Sequence, residues 1–555
     1  MDVRSGPKAS KDHGQRAVRK RVGGPRSKTG CITCRIRRVK CDEARPHCAR
    51  CTSTGRKCDG YTRSPWEVVD VTSMASMLVL SDPRASSDPF VGRSFKVFEQ
   101  LTAHSLSGIL EMTLWHDVLR AAQHSDALFH AATALGSAHE AYLHRQFNME
   151  TPEEDRALQQ YNKAIRMLTK RDAQDAELTP DVVITSSIMF MTIEMMRREY
   201  GKAIKHLKAG IGIFAEHHGR TASDGQAKPT LIPTERLEDI LRQLETHLCE
   251  ISMDGPLSMP RRSLVSYKEL PRKGEAWASA PAGLDQRCFD SITEARAELD
   301  SYCHNLMFLF HEILEPDVFA TPPASEAYTE RTTDAFAQAF VSWRHRFDGL
   351  KAKLAQRPRP LSRPERRTLA QLEMYHLVAS QVLTTYLSLD EMSWDKHQAG
   401  FERVLDLCDV IVGKHAGGVD KSGGSDNDDA ASEAYNGFQL NHGIVAACLH
   451  TAWKCRDARV RLRVIDLLSQ QRQEGLWDAQ LVKWAVCHID EIERGPGLLE
   501  AAALRGDGAD VIPRWRRIVR LDVYFSAEGR GAVLVLFVPK DESMEITTIK
   551  KVLSW

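Results

Sequence analysis

Along most of the chain apolar residues recur at spacings of three and four, the repeat of a helix with one face turned to a core. Leu128, Ala131, Leu135, Ala138 and Tyr142 form one such stripe. Thr151-Pro152-Glu153-Glu154 supplies an N-cap threonine, a proline at the first helical position and an acidic first turn, opening a helix with Leu158, Tyr161, Ile165 and Leu168 inward. Thr179-Pro180 repeats the start signal. The helix it predicts runs to about Arg198 and is apolar nearly all round, as suits the middle of a bundle. Further helices are marked by Leu237 to Ile251, by Ile292, Ala295, Leu299, Leu306, Phe310 and Ile313, and by Leu369 to Leu387 behind a Ser362-x-x-Glu365 capping box. Near the C-terminus the period changes to two: Val519, Leu521, Val523 and Phe525 alternate with Arg520, Asp522 and Tyr524, and the apolar run Val533 to Val538 follows. That alternation predicts a β-hairpin. The fold class is therefore mainly α, with a large all-α domain ending in a short β-hairpin.

Elsewhere the pattern lapses. Residues 62–94 hold three prolines and no sustained heptad, and read as a linker. Residues 417–433 open on Gly-Gly-Val-Asp-Lys-Ser-Gly-Gly, run on into the acidic Ser-Asp-Asn-Asp-Asp, and are expected to be a disordered surface loop inside the helical domain of residues 95–540. Residues 541–555 are left as a tail. Residues 1–28 form a basic arm without apolar periodicity, expected to be disordered.

Charge sharpens the division. The whole chain carries a formal charge of only +1, yet residues 1–60 hold 17 Lys/Arg against 5 Asp/Glu. That balance of +12 leaves −11 on the remaining 495 residues. A basic segment on an acidic body points to a polyanionic partner for the segment. Met1 to Thr29 has no apolar stretch of the kind that opens a secretory signal. Val182 to Met196 is too short to span a bilayer as a helix. A soluble intracellular chain is expected, with no membrane partner.

Six cysteines crowd into the basic segment: Cys31, Cys34, Cys41, Cys48, Cys51 and Cys58. They form two copies of Cys-x2-Cys-x6-Cys, an internal duplication. A Cys-x2-Cys pair offers two thiolates to one metal from a single turn, and an all-sulfur set suits zinc. Six sulfurs fill the eight positions of two four-coordinate zinc ions only if two of them bridge. The pseudo-twofold repeat makes Cys31 and Cys48, the first cysteine of each half, the natural bridges. Three other readings stand beside this one. A disulfide framework belongs to secreted chains; a single zinc would leave two thiols idle; and His47 could replace a sulfur, though the cysteine set is complete without it. The seven remaining cysteines are scattered singly through apolar stretches, as small buried hydrophobes.

Arg35, Arg37, Arg38 and Lys40 lie between Cys34 and Cys41 with no acidic residue among them. Metal binding leaves the segment strongly positive, at about +10, which favours phosphate contact through counterion release. The run from Thr29 to Tyr61 resembles the fungal-type Zn2Cys6 binuclear cluster of zinc-cluster transcription factors. All six cysteines, both two-residue gaps, the Arg-Ile-Arg-Arg-Val-Lys helix, the Cys-Asp after it and Pro46 sit where that family has them. The resemblance implies a Zn2Cys6 DNA-binding domain at residues 29–61, two Zn2+ ions and nuclear double-stranded DNA as partner. It also implies a CGG-like triplet read in the major groove through Arg38, a bidentate partner for guanine. Arg35 and Lys40 would hold phosphates, Arg37 would lie beside the groove, and Arg26 and Lys28 would contact the backbone.

The body resembles the fungal-specific transcription factor domain in stretches such as Ser125 to Leu143, Tyr200 to Phe214 and Lys454 to Leu481. That resemblance implies regulation, a homodimer through the helical domain and contact with the transcription machinery. No enzyme motif survives inspection. His139 and His144 are five apart, about 140° around a helix, where a zinc-protease pair needs four. Gly210-Ile211-Gly212 mimics a dinucleotide loop but lacks a strand before it, so close helix packing explains it better. The expected function is an RNA polymerase II regulator that binds DNA; the alternative is a zinc-module adaptor for RNA or protein. No enzymatic activity is expected.

Overall fold

The computed structural model describes residues 33–34, 37, 39, 41–42, 48–55 and 58 of the cysteine segment, and 88–107, 113–146, 153–169, 179–224, 230–251, 287–314, 326–385, 390–413, 437–470, 472–526 and 530–555 of the body. The chain divides into two compact units, Met1–Ser81 and Asp82–Trp555. The arm at 1–28, residues 62–87 of the expected linker and the loop at 417–433 lie outside the described residues. The first described helix of the body, Pro89–Val97, begins inside the segment read as linker, with Asp88 accepting from the Phe90 amide as its cap.

The predicted helices are present. The stripe from Leu128 to Tyr142 lies on the helix Asp126–Gln146, and all five of its residues are buried. Pro180–Met196 starts at its proline and is buried on almost every side. Its hydroxyls are accommodated there by bonding back along the helix: Ser186 to the Val182 carbonyl at 2.8 Å, Ser187 to Val183 at 3.0 Å and Thr192 to Ile188 at 2.7 Å. The capping box forms as read. The Glu365 amide donates to Ser362 Oγ at 3.3 Å, and the Ser362 amide to Glu365 Oε2 at 2.7 Å, opening the helix Arg363–Thr385. Gly210 faces Ser187, where a Cβ would meet the Ser187 Cβ at 3.4 Å, while nothing lies within 4 Å of a Cβ at Gly212, so helix packing explains at most the first of the two glycines.

Several features differ from the sequence reading. In Glu153–Thr169 the most deeply buried positions are Ala157, Tyr161 and Ala164, with Leu158, Ile165 and Leu168 only half-buried. The alanines let this helix approach its neighbour closely. The 30-residue helix Glu326–Ala355 was not anticipated. Its Phe336, Phe340, Trp343, Phe347, Leu350 and Leu354 are buried at the required spacing. The hairpin is extended to a three-stranded antiparallel sheet: β4 (Arg520–Phe525), β5 (Gly531–Pro539) and β6 (Ile546–Ser554), with β6 built from residues read as a tail. A second, tiny sheet joins β1 (Phe438–Gln439), β2 (Gln473–Glu474) and β3 (Trp477–Asp478). Its turn uses Gly475 at φ +54°, where a Cβ would come 2.3 Å from His247 Nδ1.

Two hydrophobic cores organise the body. The larger draws on helices from both ends of the unit and on β4 and β5. The smaller is centred on Phe289, Phe310, Trp343 and Phe347, among the helices Ile292–Leu314, Glu326–Ala355 and Arg363–Thr385. Tyr375 and Val382 pack against both. No helix among the described residues is long and apolar enough to cross a membrane.

Candidate metal centre and nucleic-acid interface

In a segment with few apolar side chains, the cysteines themselves are the core. Cys34, Cys41, Cys48, Cys51 and Cys58 are all buried and cluster together, with Val39 packed on them. None of these five is in a disulfide. Cys34 Sγ lies 3.7 Å from Cys48 Sγ and 3.7 Å from Cys51 Sγ. A disulfide requires about 2.05 Å. Two ligands on a tetrahedral zinc with bonds of about 2.3 Å stand about 3.8 Å apart. The spacing fits metal ligation and not oxidation.

The local fold explains the placement. Cys48 caps the short helix Ala49–Thr52, its sulfur accepting from the Cys51 amide at 3.3 Å. That bond suits a sulfur bearing negative charge. Cys34, Cys48 and Cys51 form one group whose ligand atoms lie within 4.8 Å of one another, and Cys41, Asp42 and Cys48 form a second. Cys48 belongs to both. Among the predicted DNA contacts, Arg37 is half-buried and its amide donates to the Thr33 carbonyl at 3.1 Å. Cys31, Arg26, Lys28, Arg35, Arg38 and Lys40 lie outside the described residues.

Sequence reasoning missed the part played by Asp42. Its carboxylate accepts from the Ala49 amide at 2.9 Å and the Arg50 amide at 3.1 Å, so a residue beside Cys41 holds the helix that follows Cys48. The amide of Arg50 is the main cause of its lowered pKa. The signal was available: an aspartate next to a ligand, with a helix start requiring an acceptor for its exposed amides. Asp42→Ala should release zinc to a chelator several-fold faster than the parent chain, with Asp42→Asn in between; release at the parent rate would leave the carboxylate without a part in holding the module.

Comparison with known proteins agrees with this geometry. The family model described as the fungal Zn(2)-Cys(6) binuclear cluster domain matches residues 29–66, and that of the fungal specific transcription factor domain matches residues 96–249. The chain thus resembles the fungal Zn(2)-Cys(6) transcription regulators, with a match to a binuclear cluster domain followed by a match to a fungal specific transcription factor domain. The aspercryptin biosynthesis cluster-specific transcription regulator atnN of Emericella nidulans is 26% identical, over 85% of this chain and 89% of its own length. The transcription regulator lscL of Purpureocillium lilacinum is 28% identical over 35% of this chain and 50% of its own. The transcriptional regulatory protein moc3 of Schizosaccharomyces pombe is 39% identical over 15% and 16%. No solved structure matches.

A Zn(2)-Cys(6) regulator carries two zinc ions in its cluster domain, where they supply the folding energy that a small hydrophobic core cannot. The regulator is not an enzyme. His139, one of the near-miss pair, instead serves the core: it is buried, bonded through Nδ1 to Thr102 Oγ1 at 3.0 Å, and lowered by burial to about 4.

Proposed function

We propose that this regulator is a nuclear, sequence-specific DNA-binding protein acting on RNA polymerase II genes, its cluster reading a CGG-like triplet in the major groove. Cys31, Cys34, Cys41, Cys48, Cys51 and Cys58 hold the two zinc ions, with Cys31 and Cys48 bridging. The observation that carries this reading is the pair of ligand groups sharing Cys48, in a segment whose chain between Cys34 and Cys41 contains four basic residues and no acidic one. Arg38 reads guanine, Arg35 and Lys40 hold phosphates, Arg37 flanks the groove, and Arg26 and Lys28 steady the backbone approach. The helical body serves regulation, homodimerisation and contact with the transcription machinery. Because the likeness to the aspercryptin cluster regulator spans 85% of this chain, the target genes are proposed to be those of a biosynthetic cluster.

The division of labour between reading and positioning provides the test. Arg38→Ala should cost about 1–3 kcal/mol on the preferred triplet and little on other sequences. Lys40→Ala should weaken all sequences alike and reduce the slope of log affinity against log salt by about 1. Both are measured by titration of the full chain with labelled duplexes at several salt concentrations. Equal effects of the two substitutions on every sequence would refute the assignment.

A further inference from the structure

The larger sheet of the body ends in an open edge. Its strand order is β4-β5-β6, so β6 is paired on one side, and no strand among the described residues covers the other. The register with β5 is continuous, from Pro539 opposite Ile546 to Gly531 opposite Ser554. Just beyond these ends the Lys540 amide donates to the Glu545 carbonyl at 2.8 Å, and the Trp555 amide to the Arg530 carbonyl at 3.4 Å. Hydrogen-bonded pairs alternate along an antiparallel ladder. The odd-numbered residues of β6 therefore turn their backbone groups to β5, and Ile546, Thr548, Lys550, Val552 and Ser554 turn theirs outward. The same five side chains are exposed, while Ile549, Lys551 and Leu553 are half-buried. Trp555 Nε1 donates to the Arg198 carbonyl at 3.2 Å and anchors the strand to the helices.

The edge is complementary to itself. With two copies related by a twofold axis at Ile549, Ile546 lies opposite Val552 of the second copy, Thr548 opposite its Lys550, and the same pairs recur in reverse. The outward-turned backbone groups then meet in four reciprocal pairs, about eight hydrogen bonds. Ile546 and Val552 are 49% and 75% exposed, and this register covers each with the other. The neighbouring registers fit worse. An axis at Lys550 sets that lysine against itself, and an axis at Lys551 does the same there; like charges directly opposite are destabilising. An axis at Thr548 sets Val552 against Met544, which lies outside the strand at φ +63°. Lysines on an edge strand guard against indiscriminate pairing. Here they select the register in which Lys550 faces Thr548 and Lys551 faces Thr547.

We propose that the body self-associates by antiparallel pairing of β6 with β6 of a second copy, in the register centred on Ile549, so that two three-stranded sheets join into one. The inference rests on the homodimer proposed above and gives it an interface; it stands apart from the reading of DNA by the cluster. A contact this narrow makes a weak dimer, with a dissociation constant on the order of micromolar. Its population therefore follows the local concentration of the chain.

The test is sedimentation velocity of the full zinc-loaded chain without DNA, over about 1–100 μM, with thermal melting of each variant in parallel. A reversible monomer–dimer equilibrium is expected. Thr548→Pro removes an N–H that faces solvent in the single chain, where an edge strand tolerates proline, and should weaken the dimer at least about tenfold. Val552→Lys, at an exposed position, should weaken it at least about threefold; it decides if Thr548→Pro does not keep the parent's melting temperature. Thr548→Glu places a carboxylate opposite Lys550 of the second copy and should tighten the dimer about threefold. A parent chain that stays monomeric throughout would overturn the interface and the homodimer together, leaving the edge to a strand of another protein. A dimer unchanged in folded Thr548→Pro or in Val552→Lys would overturn the interface and leave the homodimer standing. A dimer no tighter in Thr548→Glu than in the parent would overturn the register, and with it the proposal.

Discussion

Cys48→Ser should strip the cluster of its metal: the parent chain is expected to hold two zinc ions, and the variant less than one. Cys48 belongs to both groups of potential ligands and also caps the helix Ala49–Thr52 through its sulfur. A ligand shared by two ions cannot be lost by one site alone. Zinc bound by a small structural site supplies on the order of 10–16 kcal/mol, which in such a module is the folding energy itself. The variant should lose DNA binding with its metal, while the helical body keeps its helical signal in circular dichroism. Zinc content by elemental analysis, on the same sample as the circular dichroism, separates these outcomes. Two zinc ions retained in Cys48→Ser would exclude a shared ligand at this position.

The second large effect is expected far from the cluster. Glu493→Ala should destabilise the body by about 3–5 kcal/mol, the usual result of removing one partner from a buried ion pair. Glu493 is buried and accepts from Arg456 at 3.4 Å, from Arg461, and from the Ile518 amide at 2.8 Å. Arg456 also meets Glu391 at 2.7 Å, and Arg461 meets Asp490 at 2.8 Å. Both guanidinium groups are fully buried, so the alanine would leave their charge short of compensation. Burial alone would raise the Glu493 carboxyl, but Arg456 and Arg461 outweigh it and hold it below the ordinary value of 4.5. A carboxyl depressed in the folded state contributes stability that is present above its unfolded pKa and lost as pH falls through the folded one. The difference between parent and Glu493→Ala in denaturant unfolding should therefore be full near neutrality and shrink as pH falls below 4.5. A difference under 1 kcal/mol at neutral pH would show the pair to be dispensable.

What could be read in advance depended on whether the signal was local. The Ser362 and Glu365 box, the proline at 180 and the Leu128 to Tyr142 stripe are each contained within a few turns, and each appears in the fold as read. The cysteine duplication is equally local. The Glu326–Ala355 helix opens on a polar stretch of Thr, Glu and Arg, which masked the good spacing from Phe336 onward. Strand β6 has Lys550 and Lys551 at its centre and no continuous apolar face; it forms because β5 offers an open edge, a fact about another segment. Strands of two residues, as in β1 to β3, are shorter than any period. The Glu493 network joins residues from 391 to 518. It is not visible until the chain is folded.

The central claim, that the cluster reads a DNA sequence, is tested most directly by competition binding. The full zinc-loaded chain is held on a labelled CGG-containing duplex and challenged with the same duplex unlabelled, with a scrambled duplex and with single-stranded RNA at one fixed salt concentration. The CGG duplex should compete at least about 10³-fold better than either of the others, the low end of the gap between specific and non-specific binding. Equal competition by all three would contradict a sequence reader and leave a basic zinc module that binds nucleic acid by charge alone.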